Sequence, residues 1–196
     1  MSPTRRTVLA TTATATSLTA GCLASTVTQD DPEPPEDREL TSVTTTVPDD
    51  ARFSVDATIL QPVIDPERTA EFELRVTWQG EDTVEYRFGS SIPFGEPKYS
   101  EDPAGLSILS NPQPRRNDRT WLPKTDNEDG YVSNSDAMGT RELAPGEDAA
   151  GTWKVWGDPS EVSHIEPGTY RFEEKTTPVR GGRTLTWEFT TTIEER

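Results

Sequence analysis

Apolar and polar residues alternate most regularly over residues 70–88, which read AEFELRVTWQGEDTVEYRF. A period of two is the pattern of a β-strand that has one face in a core and the other in solvent. The alternation stops at the polar residues 79–82, QGED, and resumes at Val84. We therefore predict two strands here, joined as a hairpin.

The same alternation recurs along the rest of the chain, over residues 53–59, 149–156, 170–172 and 185–193. Pro145-Gly146 and Pro167-Gly168 are typical of type II turns, because Pro sets φ at the first central position and Gly supplies a positive φ at the next. Gly181-Gly182 is typical of a hairpin tip. Residues 106–109 add a strand, and residues 158–164 have room for one helical turn.

Six or seven short strands between Pro/Gly turns favour an all-β antiparallel β-sandwich over residues 51–196. The order Leu-Ala-Pro-Gly-Glu at 143–147, Trp153, then Pro-Gly-Thr-Tyr at 167–170 resembles the later strands of immunoglobulin-like domains in bacterial and archaeal surface proteins. It is also similar to the sandwich domain of BsuPI-type proteinase inhibitors. The resemblance covers about residues 140–175. It implies a single immunoglobulin-like sandwich and, as an alternative function, inhibition of an extracellular proteinase.

The N-terminus has the composition of an export signal. Arg5 and Arg6 precede an uncharged stretch, residues 7–28, whose apolar part, residues 8–20, is too short to span a bilayer. Paired Arg before a mild apolar run resembles a twin-arginine signal, which exports folded proteins.

Cys22, the only cysteine, follows Leu18-Thr19-Ala20-Gly21 directly. This segment resembles a lipobox, in which small residues precede a cysteine whose thiol receives the lipid and which becomes the mature N-terminus. We therefore predict a signal peptide at residues 1–21. Lipid on Cys22 would hold the protein to the extracellular face of the cell membrane. The membrane is therefore a predicted partner.

Residues 22–50 are predicted to be a disordered acidic tether. Five acids and three prolines over residues 30–37 favour an extended chain. The Thr-rich run 41–46 is compatible with O-glycosylation, although a plain spacer or the start of a strand explains it more simply.

The charge is strongly acidic: 19 Lys and Arg against 35 Asp and Glu give −16. Removal of Arg5 and Arg6 leaves 17 basic against 35 acidic side chains, or −18. Such acidity excludes nucleic acid as a partner. Together with the anchor it resembles the uncharacterised lipoproteins of halophilic archaea, because molar salt screens the self-repulsion of a carboxylate surface.

The chain holds one Cys and one His, too few for a zinc finger or a blue-copper centre. Residues 126–130, DNEDG, are similar to a calcium loop, but Thr125 occupies the first ligand position, where Asp is wanted, so an ordinary acidic turn is favoured. We expect no metal and no cofactor. His164 has no nucleophile elbow beside it, so no catalytic residue is predicted, and a carboxylate-based glycosidase is only a remote alternative.

An insertion at about residues 89–140 interrupts the strand rhythm with prolines and aromatic residues. Its basic cluster, Arg115, Arg116 and Arg119, lies next to Trp121. These four residues could bind a carboxylate, a sulfated sugar or an acidic partner, with Trp121 stacking on a sugar or peptide. The alternative is that the three Arg pair with neighbouring Asp and Glu. The sequence thus predicts a non-catalytic, lipid-anchored binding or structural module whose partner is a surface protein or polysaccharide.

Overall fold

Strands form wherever apolar residues alternate with polar ones, and two antiparallel sheets bury the apolar faces against each other. The computed structural model describes residues 37–88, 98–110, 115–117, 120–124, 139–162, 164–178 and 183–196. These residues all belong to one compact unit, Pro34–Arg196. They contain no helix. The strands are β1 (Arg38–Thr46), β2 (Phe53–Gln61), β3 (Val63–Ile64), β4 (Glu71–Trp78), β5 (Val84–Phe88), β6 (Lys98–Tyr99), β7 (Leu106–Leu109), β8 (Arg115–Asn117), β9 (Thr120–Pro123), β10 (Gly139–Leu143), β11 (Asp148–Gly157), β12 (Gly168–Pro178) and β13 (Leu185–Glu195).

The strands are arranged in two large sheets and one small one. The first sheet has the order β10-β5-β12-β13-β1-β3, the second β2-β4-β11-β7-β6, and β8 pairs only with β9. The inner faces meet in a core in which the Phe72 and Phe189 ring centroids lie 6.4 Å apart. The predicted all-β antiparallel sandwich is confirmed.

The central strands of the two sheets follow the order of a constant-type immunoglobulin domain, and β10, β1, β3 and β6 extend the sheets beyond it. Strands β2, β4, β11 and β7 form the four-stranded set, and β5, β12 and β13 form the opposing three. Tyr170 adds the tyrosine corner of this fold, because its hydroxyl donates a hydrogen bond of 2.8 Å to the Glu166 carbonyl at the start of β12.

The predicted hairpin of residues 70–88 is wrong. Strands β4 and β5 lie in different sheets, so the turn between them crosses the sandwich. The Trp78 indole donates a hydrogen bond of 2.7 Å to the Asp82 carbonyl. A Cβ on Gly80 would lie only 2.1 Å from that ring, so only Gly fits beneath the indole. This local packing directs the chain to the other sheet, and period-two alternation cannot reveal it.

The predicted domain boundary at residue 50 is too late. Strand β1 begins at Arg38 and pairs with β13, so residues 38–46 belong to the sandwich instead of to the tether. Leu40 is buried in the core. The Thr-rich run 41–46 is thus a strand, the simpler of the interpretations, and polar β-branched residues suit it because β1 exposes much of its length.

The turns are confirmed in part. Gly146 has a φ of 78°, as a type II turn requires, whereas Gly168 has no positive φ. Gly168 begins β12 instead, and a Cβ there would lie at an ordinary contact distance of 3.4 Å from the Tyr170 ring. Strands β12 and β13 pair as the predicted hairpin, although its tip, residues 179–182, lies outside the described residues. Strand β7 is confirmed, and residues 158–162 form one turn closed by a 3.0 Å hydrogen bond from the Val162 amide to the Asp158 carbonyl.

Candidate functional site

Strands β8 and β9, which we call the outer hairpin, carry the basic and aromatic residues that the sequence singles out. The hairpin pairs Arg115 with Pro123 and Asn117 with Thr120. It packs on the outer face of β11, where the Trp121 and Trp156 ring centroids lie 5.1 Å apart in an edge-on arrangement. Leu122 is buried against Gly157, where an added Cβ would clash at 2.6 Å. The outer hairpin therefore forms a third layer over the second sheet.

Arg115 and Trp121 contact each other directly. The Arg115 guanidinium carbon lies 4.4 Å from the centroid of the Trp121 ring, in cation–π geometry. Its Nε donates to the Thr120 carbonyl at 3.2 Å, and its Nη1 donates to the Pro66 carbonyl at 2.7 Å. The Trp121 indole donates to the Asp65 carbonyl at 2.7 Å. These contacts fasten the outer hairpin to the loop between β3 and β4.

That loop is itself organised by the Asp65 carboxylate. Its Oδ1 accepts hydrogen bonds of 3.0 Å from the Glu67 and Arg68 amides, and its Oδ2 pairs with Arg68 Nε at 3.0 Å. Partial burial raises the pKa of Asp65, but the hydrogen bonds from the Arg68 side chain and from the two amides outweigh it, so the pKa lies below its ordinary value. The carbonyls that receive Trp121 and Arg115 thus belong to a fixed turn.

The structure brings together two of the four predicted binding residues. Arg115 contacts the Thr120 and Pro66 carbonyls and the Trp121 ring. One face of Trp121 is occupied by Arg115. The side chain of Arg116, in β8, and the whole of Arg119 lie outside the described residues. Ligand binding by this cluster stays a prediction.

Other predicted residues also lie outside the described part of the chain. They are Arg5 and Arg6 of the export signal, the lipidation residue Cys22, and the acidic loop 126–130. His164 is described: its Nε2 lies 2.8 Å from a Glu166 carboxylate oxygen on the turn that precedes β12. This is the same Glu166 whose carbonyl accepts the Tyr170 hydroxyl.

Sequence reasoning missed a second feature: among the described strands, three pairs of glutamates lie directly opposite each other on neighbouring strands. The pairs are Glu39 with Glu194, Glu85 with Glu142, and Glu173 with Glu188. Like charges at directly opposite positions destabilise a sheet. No signal in the sequence shows them, because cross-strand register decides which acids face each other.

The three pairs differ in their surroundings. Lys175 lies 3.1 Å from Glu173, and Arg171 lies 3.1 Å from Glu188, so this pair is neutralised by cations. Glu85 and Glu142 line a small depression with Thr83 and Val84 at the edge of the first sheet. Within the described residues, no three or more His, Cys, Asp or Glu side chains are placed to hold a metal ion together.

The described part of the chain contains no helix long and apolar enough to cross a membrane. A scan of the chain against protein-family models finds no match. A search of curated proteins finds no similar sequence.

Proposed function

We propose that this protein is a lipid-anchored lipoprotein of the extracellular cell surface, and that its sandwich acts without catalysis as a binding or structural module. The observation that carries the proposal is the lipobox-like segment 18–22, which follows the paired Arg5 and Arg6. The structure adds that β1 begins at Arg38. A folded sandwich therefore starts 16 positions after the cysteine that would carry the lipid.

The physical role of the anchor is retention. Each CH₂ group buried in a bilayer contributes about 0.8 kcal/mol, so two acyl or isoprenoid chains hold a protein stably where one chain does so only marginally. Export by the twin-arginine route suits a sandwich of this strand order, because β1 and β13 pair residues at the two ends of the domain and must come together before the fold is complete.

We also propose that the protein works in concentrated salt, as the lipoproteins of halophilic archaea do, and the opposed glutamate pairs support this. Two carboxylates on facing positions repel strongly in dilute buffer, whereas the screening length falls to about 3 Å in ~1 M salt. Glu85 and Glu142 face each other in this way at the edge of the first sheet. This pair therefore gives the sandwich a specific reason to be more stable in brine.

The anchor is tested by Cys22→Ser in the full chain, with Ser25→Ala as a matched control next to the lipobox. We expect Cys22→Ser to leave the membrane fraction while Ser25→Ala stays in it. Adding Arg5→Lys and Arg6→Lys to either the Cys22→Ser or the Ser25→Ala variant should abolish its export. Full membrane retention of Cys22→Ser, or an intact Met1 with an unmodified thiol by mass spectrometry, would refute the anchor.

The salt setting is tested by thermal unfolding in about 0.1 M and about 3 M NaCl. We expect a higher thermal midpoint in concentrated salt. In Glu142→Gln we expect a smaller difference between the midpoints at the two salt concentrations. Glu81→Gln, on an exposed turn with no facing acid, is the matched control. Equal midpoints in the two salt concentrations would contradict the halophilic part of the proposal.

Ligand binding is tested with Arg116→Ala combined with Arg119→Ala, which keeps Arg115 and its packing intact. The probes are dextran sulfate and isolated cell envelopes, both in high salt. We expect the double variant to lose binding that the wild type shows. If both proteins bind equally, the basic cluster is not the contact surface, although the anchor is unaffected.

A further inference from the structure

The two ends of the sandwich differ in their distance along the chain from Cys22. At one end, which we call the tether pole, β1 begins: Arg38 and Glu39 pair with Ile64 and Val63 of β3. The Asp37 carbonyl accepts a 3.1 Å hydrogen bond from the Arg196 amide at the same end. The opposite end, the distal pole, carries the turn of residues 79–83. Strand β12 runs between the poles with 11 residues, a span of about 36 Å at about 3.3 Å per residue.

The tether pole carries an exposed leucine. Leu60 is 51% exposed, and among the described residues it is the one exposed large hydrophobic side chain. It lies at a register shift between Ile59 and Gln61 near the end of β2. The Gln61 side chain donates to the Val63 and Thr69 carbonyls at 2.5 and 2.9 Å, so the segment that presents Leu60 is fixed. Single exposed leucines are common on soluble proteins, so the argument rests on where this one lies.

We propose that the tether pole rests on the headgroup layer of the membrane that holds the Cys22 lipid, with Leu60 as its apolar contact. This inference rests on the proposed lipid anchor. The 15 residues between Cys22 and Arg38 reach at most about 50 Å when fully extended. The tether pole meets the bilayer in many tether conformations, whereas the distal pole, about 36 Å further away, meets it only when the tether is extended over most of its reach of about 50 Å.

The charge at this pole fits a contact that is mainly apolar. The neighbouring loop exposes both Arg68 and Glu67, and Arg68 is already paired with Asp65. Glu39 and Glu194 also face each other at this pole, so anionic headgroups are repelled there in dilute buffer. Concentrated salt screens such charges and strengthens apolar association, so Leu60 contributes most under the conditions in which the protein is expected to work.

The experiment measures the depth of fluorescent probes on the lipidated full-length protein. The lipid occupies the Cys22 thiol, so Glu67→Cys places one reactive thiol on the tether pole and Glu81→Cys places one on the distal pole. Each protein is reconstituted in phosphatidylglycerol–phosphatidylcholine vesicles with nitroxide-labelled headgroups, in high salt. Both labelled variants are prepared with Leu60 and with Leu60→Ser, and circular dichroism verifies that all four fold.

We expect the probe at residue 67 to be quenched about three to ten times more than the probe at residue 81, and Leu60→Ser to reduce this ratio several-fold. Equal quenching at the two positions, on protein that still floats with the vesicles, would overturn the orientation and leave the anchor intact. An unchanged ratio in Leu60→Ser would overturn the assignment of Leu60 as the contact. Protein that carries no lipid and does not float would instead refute the proposed function.

Discussion

Strands β12 and β13 are buried on one face, whereas β7 and the end of β11 are buried on both. In β13, buried and partly exposed residues alternate from Leu185 to Ile193. In β7 all four residues are buried, and in β11 burial is continuous from Val155 to Gly157. At the end of β11 the outer hairpin supplies a second covering, where Trp121 meets Trp156 and Leu122 lies against Gly157. Alternation of exposure is thus a property of a two-layer region, and it is lost where a third layer is added.

The two regions are also held by different interactions. The sandwich core is aromatic and aliphatic: the Phe172 and Phe189 rings are stacked at 4.6 Å with an interplanar angle of 3°. The outer hairpin instead combines one aromatic pair with hydrogen bonds from Trp121 and Arg115 to the Asp65 and Pro66 carbonyls. We therefore expect the core to dominate global stability and the outer hairpin to contribute less.

The largest effect is expected from Phe189→Ala in the two-layer core. Phe189 is 1% exposed and contacts the rings of Phe72, Phe172 and Trp187. The cavity should lower the free energy of unfolding by about 3–5 kcal/mol, measured by urea unfolding in high salt. Leu60→Ala, which also truncates a hydrophobic side chain but at an exposed site, should keep the free energy of unfolding within about 0.5 kcal/mol of wild type. A loss no larger than that of the control would contradict the core as described.

A smaller effect is expected from Trp121→Ala in the outer hairpin. The variant loses the aromatic contact with Trp156, the cation–π contact with Arg115 and the hydrogen bond to the Asp65 carbonyl, which together should lower the free energy of unfolding by about 2 kcal/mol. Hydrogen exchange should speed up in β7 more than in β13. Equal exchange rates in β7 before and after the substitution would show that the outer hairpin does not protect this strand.

Much of the sandwich could be predicted from the sequence, because its inner faces are lined by residues such as Phe72, Leu74, Val76 and Trp78 at a period of two. The crossing of β4 to β5 could not, since the Trp78 indole and Gly80 decide it through a contact that has no periodic signal. Residues 38–50 were assigned to the tether because exposed threonines resemble a linker, although the start of a strand was one interpretation of residues 41–46.

The candidate site was predicted only in its composition. Arg115 and Trp121 are close in sequence, which made their contact foreseeable, but the partners that fix them, Asp65 and Pro66, are about 50 residues away. The opposed glutamates depend on register in the same way. Local patterns therefore predicted most of the strands. The contacts between residues far apart in sequence, which fix the candidate site, could be seen only in the structure.

An effect of about 1 kcal/mol is expected from Tyr170→Phe, which removes the hydrogen bond to the Glu166 carbonyl and leaves the core ring in place. Burial, with a smaller contribution from the Glu166 charge, raises the pKa of Tyr170 above 10.0. A raised tyrosine pKa favours the folded state below the unfolded-state pKa, and this contribution is lost as pH rises through the folded-state pKa. Urea unfolding should show the wild-type advantage at neutral pH and its decline above about pH 10. An advantage that persists undiminished at high pH would contradict the assigned hydrogen bond.

The smallest effect is expected from Asp65→Asn in the loop beneath the outer hairpin. The Asp65 carboxylate caps two amides and pairs with Arg68, but the Arg68 side chain is 55% exposed, so the substitution should cost about 0.2–1 kcal/mol at neutral pH. Because the pKa of Asp65 is lowered from 3.8 in the folded state, its stabilisation is present above that value and is lost as pH falls through the folded-state pKa. The difference between wild type and variant should therefore shrink in acid. Glu67→Gln, whose backbone alone takes part in the turn, is the matched control and should show no such pH dependence. If the difference in free energy of unfolding between wild type and Asp65→Asn instead grew in acid, the Asp65 carboxylate would not be stabilised by these donors. The turn whose carbonyl accepts the Trp121 indole would then be held by other interactions.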